Sequence, residues 1–199
     1  LTDAQAFQSL LVSPGKLAVS RRIEQVQKPL ADSIPENSFS LYVSIPFCPT
    51  RCSYCSFVSH SVNSAAARLD EYLGRMMEEM RQLSTISRHL GLVPDTIYFG
   101  GGTPTVLSAE QLKMLFSALE CFDLSHIREF TVEAGRPDTI TPEKLEAIKA
   151  AGVGRISVNP QTMNDSVLKA IGRSHDSRQT EEAFLMARET GFDVINMDL

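Results

Sequence analysis

The sequence predicts an α/β fold built on a parallel sheet, because short apolar strands alternate with amphipathic helices from Phe39 onward. The connections between these elements are short. Such connections favour right-handed crossovers, either in a doubly wound sheet or in a full or partial (β/α) barrel. A chain of 199 residues with 43% hydrophobic content can also bury one sizeable core. We therefore expect one α/β core domain.

An N-terminal segment precedes this predicted core. Residues 16–30 show weak helical periodicity, and the Pro-Asn-Ser stretch at residues 34–38 is typical of a linker. We expect residues 1–38 to form a helical and linker segment and residues 39–199 to form the core. Because residue 1 is Leu and nothing follows the last predicted strand to cover the sheet edge, we expect a piece of a longer polypeptide whose C-terminal part is absent.

Each element of the core has its own local signals. The predicted strands are residues 40–46, 96–100, 129–134, 155–159 and 193–199. A long helix is predicted from Ser64, while Ser108 starts a capping box, Pro142 occupies a first helical position and Gly152 stops a helix. The long helix presents one face that we expect to fill the core: Met76, Met77, Met80 and Leu83.

Composition excludes several classes of protein. The net charge of -5 and the lack of a basic tract argue against nucleic-acid binding. No apolar run approaches the ~20 residues of a membrane span, and the N-terminus has no signal-peptide layout. Four cysteines in such a chain indicate a reducing compartment, so we expect a cytoplasmic protein.

The most informative motif is Cys48-x3-Cys52-x2-Cys55, directly after the first predicted strand. Three thiolates on one tight loop can hold a metal centre that keeps one coordination position free. A structural zinc site needs four ligands, but Cys121 lies far along the chain and the spacing of His60 fits no common zinc module. Disulfides would leave an odd thiol. The motif therefore favours an iron-sulfur cluster with one open iron.

Polar or glycine residues also stand at the end of each later strand. Gly101 and Gly102 follow the second strand, Glu133 ends the third, Gln161 follows the fourth and Asp198 ends the fifth. Because the carboxyl ends of parallel strands meet at one edge, these residues should form a single rim with the cysteine loop. Glycines there expose backbone groups to a ligand, although a plain βα turn would use the same residues.

The charged residues near this rim each allow two interpretations. Glu133 lies on an apolar strand, so it should hold a cation or pair with Arg136 or Arg155. Asp198 suits sugar hydroxyls. Arg173 could bind a carboxylate or be a solvated helix-end charge, and residue type alone favours the latter.

The remaining reactive side chains have simpler interpretations. We expect Cys121 to be a half-buried apolar residue. The histidines with no ligand spacing are expected at the surface: His89, His126 and His175.

The cysteine motif and the Gly-Gly-Gly-Thr-Pro run at residues 100–104 resemble the radical S-adenosylmethionine superfamily over about residues 40–199. Residues 42–48 are similar to the oxygen-independent coproporphyrinogen III oxidases, and residues 130–137 and 156–164 to their HemZ branch. This resemblance implies a partial (β/α) radical-SAM barrel that is truncated after about the fifth strand.

The resemblance also implies cofactors, a reaction and partners. A [4Fe-4S] cluster would reduce S-adenosylmethionine, bound as one or two molecules, to a 5'-deoxyadenosyl radical. Two propionates of coproporphyrinogen III would lose carbon dioxide to give protoporphyrinogen IX, with electrons from a flavodoxin- or ferredoxin-like donor. The implied cluster ligands are Cys48, Cys52 and Cys55. The implied cofactor-binding residues are Tyr42, Tyr54, Gly101, Gly102, Thr103, Glu133, Gln161, Arg173 and Asp198.

One residue departs from the pattern of the best-known oxidases. They carry a fourth cysteine two positions after the third, where this chain has Phe57. A phenylalanine there resembles the haem-chaperone relatives, which keep the cluster but hand on haem. A zinc-stapled structural module is the third hypothesis, and it needs neither the glycines nor the carboxylates of the rim.

Overall fold

The computed structural model describes residues 12–57 and 60–199 of the chain. The chain divides into two units between Ser38 and Phe39. In the N-terminal unit, helix α1 (Pro14–Asp32) begins after Ser13, whose side chain accepts a hydrogen bond from the Lys16 backbone N–H. The helix covers the periodic stretch predicted from sequence, and residues 1–11 of that segment lie outside the described residues.

The second unit alternates strands and helices. Its strands are β1 (Ser38–Ile45), β2 (Phe47–Cys48), β3 (His60–Ser61), β4 (Val93–Gly101), β5 (Glu129–Gly135), β6 (Arg155–Val158) and β7 (Val194–Asn196). Its α-helices are α2 (Val62–His89), α3 (Ala109–Ser117), α4 (Pro142–Ala150), α5 (Asp165–Ala170) and α6 (Ser177–Thr190). Short 3-10 helices lie at Pro104–Val106, Ala118–Cys121 and Pro137–Thr139.

The main sheet has five strands in the order β1-β4-β5-β6-β7, and β2 and β3 form a small separate pair. Neighbours from β4 to β7 run parallel, with Tyr98 opposite Thr131 and Ile156 opposite Ile195. The register between β5 and β6 shifts between Glu133 and Gly135. All five predicted strands are therefore present, and the parallel pairs place their carboxyl ends at one edge of the sheet.

Local sequence signals explain the helices between these strands. Ser108 and Gln111 form the predicted capping box of α3, and the Thr141 side chain caps α4 just before Pro142. The predicted methionine face of α2 packs on the core, where Met80 is buried and Met76, Met77 and Leu83 are partly buried.

The predicted strands differ from the observed ones at their ends. The second predicted strand, residues 96–100, corresponds to β4, which begins at Val93 and extends through Gly101. Strand β7 is shorter than predicted and ends at Asn196, so Asp198 follows the strand instead of ending it. In both cases the apolar run in the sequence does not coincide with the backbone hydrogen bonds that define the strand.

Helix length and hydropathy also bear on membrane insertion. Within residues 12–57 and 60–199, no helix is long and apolar enough to span a bilayer.

Phe99 is the best residue with which to test the core. It is completely buried and contacts the rings of Phe116 and Phe130, at centroid distances of 5.1 and 5.8 Å. We expect Phe99→Ala to lower the free energy of unfolding by about 3–5 kcal/mol, measured by urea denaturation, because it leaves a cavity. The control Ile86→Ala removes a side chain that is 55% exposed and should change it by less than about 0.5 kcal/mol. Equal effects would contradict this account of the core.

Candidate functional site

A cavity of about 340 Å³ opens at the carboxyl ends of the parallel strands. All predicted site residues except Tyr42 line it: Cys48, Cys52, Tyr54, Cys55, Gly101, Gly102, Thr103, Glu133, Gln161, Arg173 and Asp198. The cavity also includes residues that we had not assigned to the site: Thr50, Arg51, Phe57, Gly135, Arg136 and Asn159. The edge predicted from the strand ends is thus a real concave surface.

The cysteine loop forms one wall of this cavity. Cys48 ends β2, and Cys52 and Cys55 follow in the turn after it. All are free, half-buried thiols, and the hydroxyl of Thr103 lies 3.5 Å from the Cys48 sulfur as a donor. In the described part of the chain, no group of three or more His, Cys, Asp or Glu side chains is close enough to hold a metal ion. The thiols share the cavity but have not converged on one position.

The glycine run permits a close approach between β4 and the cysteine loop. The backbone N–H of Gly102 donates to the Ile45 carbonyl at 2.8 Å. A Cβ atom at Gly102 would lie 2.6 Å from the Phe47 carbonyl oxygen and 2.9 Å from the Cys48 sulfur. Gly101 has φ +110°, which side-chain-bearing residues rarely adopt. Gly102 is therefore required because a side chain has no room there, and Gly101 is favoured by its backbone conformation.

Glu133 reaches the cavity from β5 and is held by neutral donors. Its Oε1 accepts a 2.6 Å hydrogen bond from the Tyr98 hydroxyl, and the carboxylate also accepts from the Gly101 backbone N–H. Burial raises the pKa of Glu133, and the nearby charge of Asp198 adds to the increase, although the two hydrogen bonds oppose it. The predicted pairing of Glu133 with Arg136 or Arg155 was wrong.

Those two arginines have other carboxylate partners. Arg136 binds Asp138, and Arg155 lies 3.4 Å from Glu129. Neither of these two arginines therefore pairs with Glu133, which presents a partly buried carboxylate to the cavity. Such a group favours a cationic ligand, because a positive charge would offset its desolvation.

The far wall comes from the ends of β6 and β7. Gln161 has φ +71°, a left-handed conformation, and its backbone N–H donates to the Asp198 carbonyl at 2.9 Å. This turn brings Asn159 to the cavity, where its Oδ1 atom is buried without a hydrogen-bond partner in the described residues. Asn159 stands at a strand end, so the pattern that selected Gln161 could also have selected it.

Arg173 is a cavity residue, and its assignment as a solvated helix-end charge was wrong. It is partly buried, and its Nη2 donates to the Tyr54 hydroxyl at 2.9 Å, which joins the segment after α5 to the cysteine loop. Its Nε is buried and makes no hydrogen bond within the described part of the chain. Residue type could not reveal this contact, because Tyr54 lies 119 positions away.

The surface assignment of His175 was also wrong. Its side chain is fully buried, with Nδ1 3.6 Å from Asp138 Oδ1 and Nε2 3.3 Å from the Pro160 carbonyl. Burial alone would raise the pKa of Asp138, but the neighbouring His175 and Arg136 lower it below its usual value. His89 and His126 are exposed, as predicted, and Cys121 is a half-buried thiol that packs against the core.

Tyr42 lies beside the cavity without lining it. Its ring stacks on Tyr98 with centroids 5.7 Å apart, and its side chain is 59% exposed. Tyr98 itself was missed by the sequence analysis, although it positions Glu133 directly. Sequence spacing could have identified Tyr98, because it lies two positions before Gly100 in β4 and residues two apart face the same side of a strand.

Comparison with known proteins supports this picture. The family model "Radical SAM superfamily" matches residues 42–199. The chain belongs to the radical SAM superfamily. The solved structure of the E. coli coproporphyrinogen III oxidase HemN, described as a radical SAM enzyme, is similar to this chain with a TM-score of 0.73 and 29% sequence identity. The match covers 87% of this chain and 39% of that one. The predicted partial (β/α) radical-SAM barrel is therefore confirmed.

Two curated relatives from Bacillus subtilis (strain 168) are similar to nearly the same degree. The oxygen-independent coproporphyrinogen-III oxidase-like protein HemZ is 43% identical over 166 residues, which is 82% of this chain and 33% of HemZ. The heme chaperone HemW is 42% identical over 162 residues, which is 80% of this chain and 41% of HemW. The chain thus spans between a third and about two fifths of the length of these relatives.

The predicted cofactors are those of the family, which binds a [4Fe-4S] cluster and S-adenosylmethionine. The residues present fit both groups. Three thiols are the donor set for a cluster with an open iron. Asn159 Oδ1 and Arg173 Nε are buried and have no hydrogen-bond partner among residues 12–57 and 60–199. Together with the Glu133 carboxylate, they offer an acceptor, a donor and a negative charge to a polar cationic ligand.

We expect Gly102→Ala to destabilise the protein by about 1–3 kcal/mol, because the new methyl group overlaps the Phe47 carbonyl and the Cys48 sulfur. Iron bound per chain after anaerobic reconstitution should also decrease. Gly74→Ala is the matched control, since it lies in α2 with no atom within 4 Å of the added Cβ. It should leave iron content unchanged. Equal iron loss in both variants, or none in Gly102→Ala, would contradict the predicted overlap.

Glu133 should make stability depend on pH. Because its pKa is raised in the folded state, its contribution is fully present below the unfolded value of about 4.5 and is lost as pH rises through the folded pKa. Glu133→Gln keeps the shape of the side chain and one acceptor oxygen, which can still accept from the Tyr98 hydroxyl, but it cannot ionise. Relative to this variant, the unmodified protein should lose stability as pH rises above 4.5. The measurement is a urea titration across pH on protein without cofactors.

Glu143→Gln provides a comparison of opposite sign. Hydrogen bonds from its own backbone N–H and from Thr141 lower the pKa of Glu143, so its contribution is present above about 4.5 and is lost as pH falls. A flat difference between Glu133→Gln and the unmodified protein would show that Glu133 is not desolvated.

Proposed function

We propose that this chain forms the cofactor-binding part of a radical SAM enzyme of porphyrin metabolism, which converts coproporphyrinogen III propionates to vinyl groups. The observation that carries the proposal is the single cavity that contains the three cysteines, the glycine turn and the polar groups of Glu133, Asn159 and Arg173. A zinc-stapled module would need a fourth ligand and would make no use of these groups.

Each wall of the cavity has a distinct proposed role. Cys48, Cys52 and Cys55 would hold the cluster. Gly101 and Gly102 leave room for the backbone to approach a ligand, and Glu133 would accept hydrogen bonds from its amino group. The remaining predicted residues would hold the nucleoside and any second S-adenosylmethionine: Tyr54, Thr103, Gln161, Arg173 and Asp198. Tyr42 would contact the cofactor from beside the cavity.

The chemistry follows from these positions. Held by Cys48, Cys52 and Cys55, a bound cluster would supply the one-electron reduction that converts S-adenosylmethionine to methionine and a 5'-deoxyadenosyl radical. Two of the propionates of the tetrapyrrole would then each lose a hydrogen atom to such a radical, carbon dioxide, and one electron to an acceptor. The protein would orient the reactants and limit access of water. A flavodoxin- or ferredoxin-like donor would supply the reducing electron.

A haem chaperone is the second candidate. Two observations favour it: Phe57, 66% exposed at the cavity, takes the place of the fourth cysteine of the best-known oxidases, and HemW is nearly as similar as HemZ. Such a protein would keep the cluster but bind and transfer haem. Both functions would use the three cysteines, and they differ in the tetrapyrrole that approaches the cavity and in what happens to it.

The cluster and its chemistry can be tested with cysteine variants. After anaerobic reconstitution with iron and sulfide, we expect a brown protein that forms 5'-deoxyadenosine from S-adenosylmethionine and dithionite. Serine at position 48, 52 or 55 should reduce this product to background, since each thiolate is a cluster ligand. Cys121→Ser should leave it unchanged. A colourless protein that binds one zinc per chain would refute the radical SAM proposal and favour the structural module.

Substrate addition then separates the two candidate functions. With coproporphyrinogen III, the oxidase should release carbon dioxide and form the divinyl product, detected by mass spectrometry. Stoichiometric haem binding and transfer to an apo-haemoprotein, without product, would favour the chaperone. The intact protein is the sample for this assay, because the chain spans only part of its relatives.

A further inference from the structure

We propose that Arg136 is a positioning residue, which fastens the cysteine loop (residues 49–57) to the arginine segment (residues 171–175) and so fixes the two walls of the cavity relative to each other. Its guanidinium contacts both walls. Nη1 donates to the Thr50 hydroxyl at 2.7 Å and to the Thr50 carbonyl at 3.2 Å, while Nη2 donates to the Ser174 hydroxyl at 3.3 Å.

The cysteine loop needs such a polar attachment, because apolar packing does not hold it. None of residues 49–57 is buried, and Tyr54 and Phe57 are 52% and 66% exposed. The loop therefore gains little from the hydrophobic effect, which stabilises the strands beside it. Its order depends on hydrogen bonds to other segments.

Those hydrogen bonds lead mainly to the arginine segment. The Ser53 N–H donates to the Ile171 carbonyl at 3.1 Å, and the Thr50 hydroxyl donates to the Gly172 carbonyl at 3.3 Å. Gly172 has φ +80°, and its missing Cβ would lie 3.4 Å from the Arg51 carbonyl. The two segments thus lie in direct contact, and Arg136 bridges them through hydrogen bonds to Thr50 and Ser174.

Arg136 is itself rigidly placed. It is only 3% exposed, and Asp138 accepts from its Nε and Nη2 at 3.1 and 3.2 Å. The 3-10 helix Pro137–Thr139 fixes the separation of the two residues. A bidentate carboxylate on one side of the planar guanidinium leaves Nη1 directed at Thr50, a geometry that lysine cannot reproduce.

This arrangement has a functional consequence, which rests on the proposed role of the cysteines and Arg173. If one guanidinium orders both walls, its loss should loosen the cysteine loop and displace Arg173 together. Cluster retention and S-adenosylmethionine affinity should therefore fall in parallel. Residues that only stabilise the fold would not link these two properties.

Hydrogen–deuterium exchange of the protein without cofactors tests the attachment directly. We expect Thr50→Val to raise the exchange rate of peptides within residues 48–57 by about two- to tenfold, and Arg136→Gln by about tenfold or more, since the latter removes charge-assisted hydrogen bonds. The double variant should exceed Arg136→Gln only by the effect of losing the Thr50–Gly172 hydrogen bond, because both changes break the contact between Arg136 and the Thr50 hydroxyl. Arg136→Lys should restore only part of the protection.

Arg128→Gln is the matched control. Arg128 makes two 2.6 Å hydrogen bonds to Asp95, where β5 begins, so its loss removes a comparable ion pair away from the cavity. It should leave exchange in residues 48–57 unchanged. If Arg136→Gln prevents folding, Thr50→Val and Arg136→Lys decide the question together, since only Thr50→Val also removes the hydrogen bond to the Gly172 carbonyl. Unchanged exchange in Thr50→Val would overturn the proposal, as would equal acceleration in Arg128→Gln.

Reconstituted protein supplies the second measurement. Arg136→Gln should lose iron to a chelator about tenfold faster and bind S-adenosylmethionine about tenfold more weakly, with Arg128→Gln unaffected. Weaker binding without faster iron loss would overturn the link between the walls. Because exchange is measured without cofactors, failure of the radical SAM proposal would leave that result standing, and the two failures can be told apart.

Discussion

Parallel pairing of β4, β5, β6 and β7 places their carboxyl ends along one edge of the sheet, and the cavity exists because of that alignment. Parallel strands end on the same side, so a polar residue at each end reaches a common space. The apolar residues earlier in these strands stay in the core, as Phe99, Val132 and Ile156 do. One backbone arrangement thus separates residues that stabilise the fold from residues that contact a ligand.

The cysteine loop depends on the sheet in a different way. The chain just before it, at Phe47 and Cys48, lies so close to Gly102 that no side chain fits there, yet none of residues 49–57 is buried. Its position therefore comes from close backbone packing on one side and from hydrogen bonds to Arg136 and the arginine segment on the other. A loop of this kind can adjust its thiols when a metal centre binds, at little cost to the core.

Glu133 illustrates how the site combines stability with chemistry. A carboxylate on a buried strand is unfavourable, and Tyr98 with the Gly101 N–H offsets only part of the desolvation. The remaining unfavourable energy would be relieved by a cationic group in the cavity. In the role that we propose, Glu133 would weaken the protein without its cofactor and strengthen the binding of that cofactor, and perturbed carboxylates of this kind cluster at functional sites.

The sequence by itself determined the strands, the helix caps, the three thiols and the glycine turn, because each depends on neighbours within a few positions. It also placed Glu133, Gln161 and Asp198 at one edge. Only the tertiary structure decided that His175 is buried, that Arg173 contacts Tyr54 and that Arg136 binds Thr50, 86 positions away. Local periodicity carries no information about contacts between distant segments, since these depend on how the loops pack once the sheet has formed.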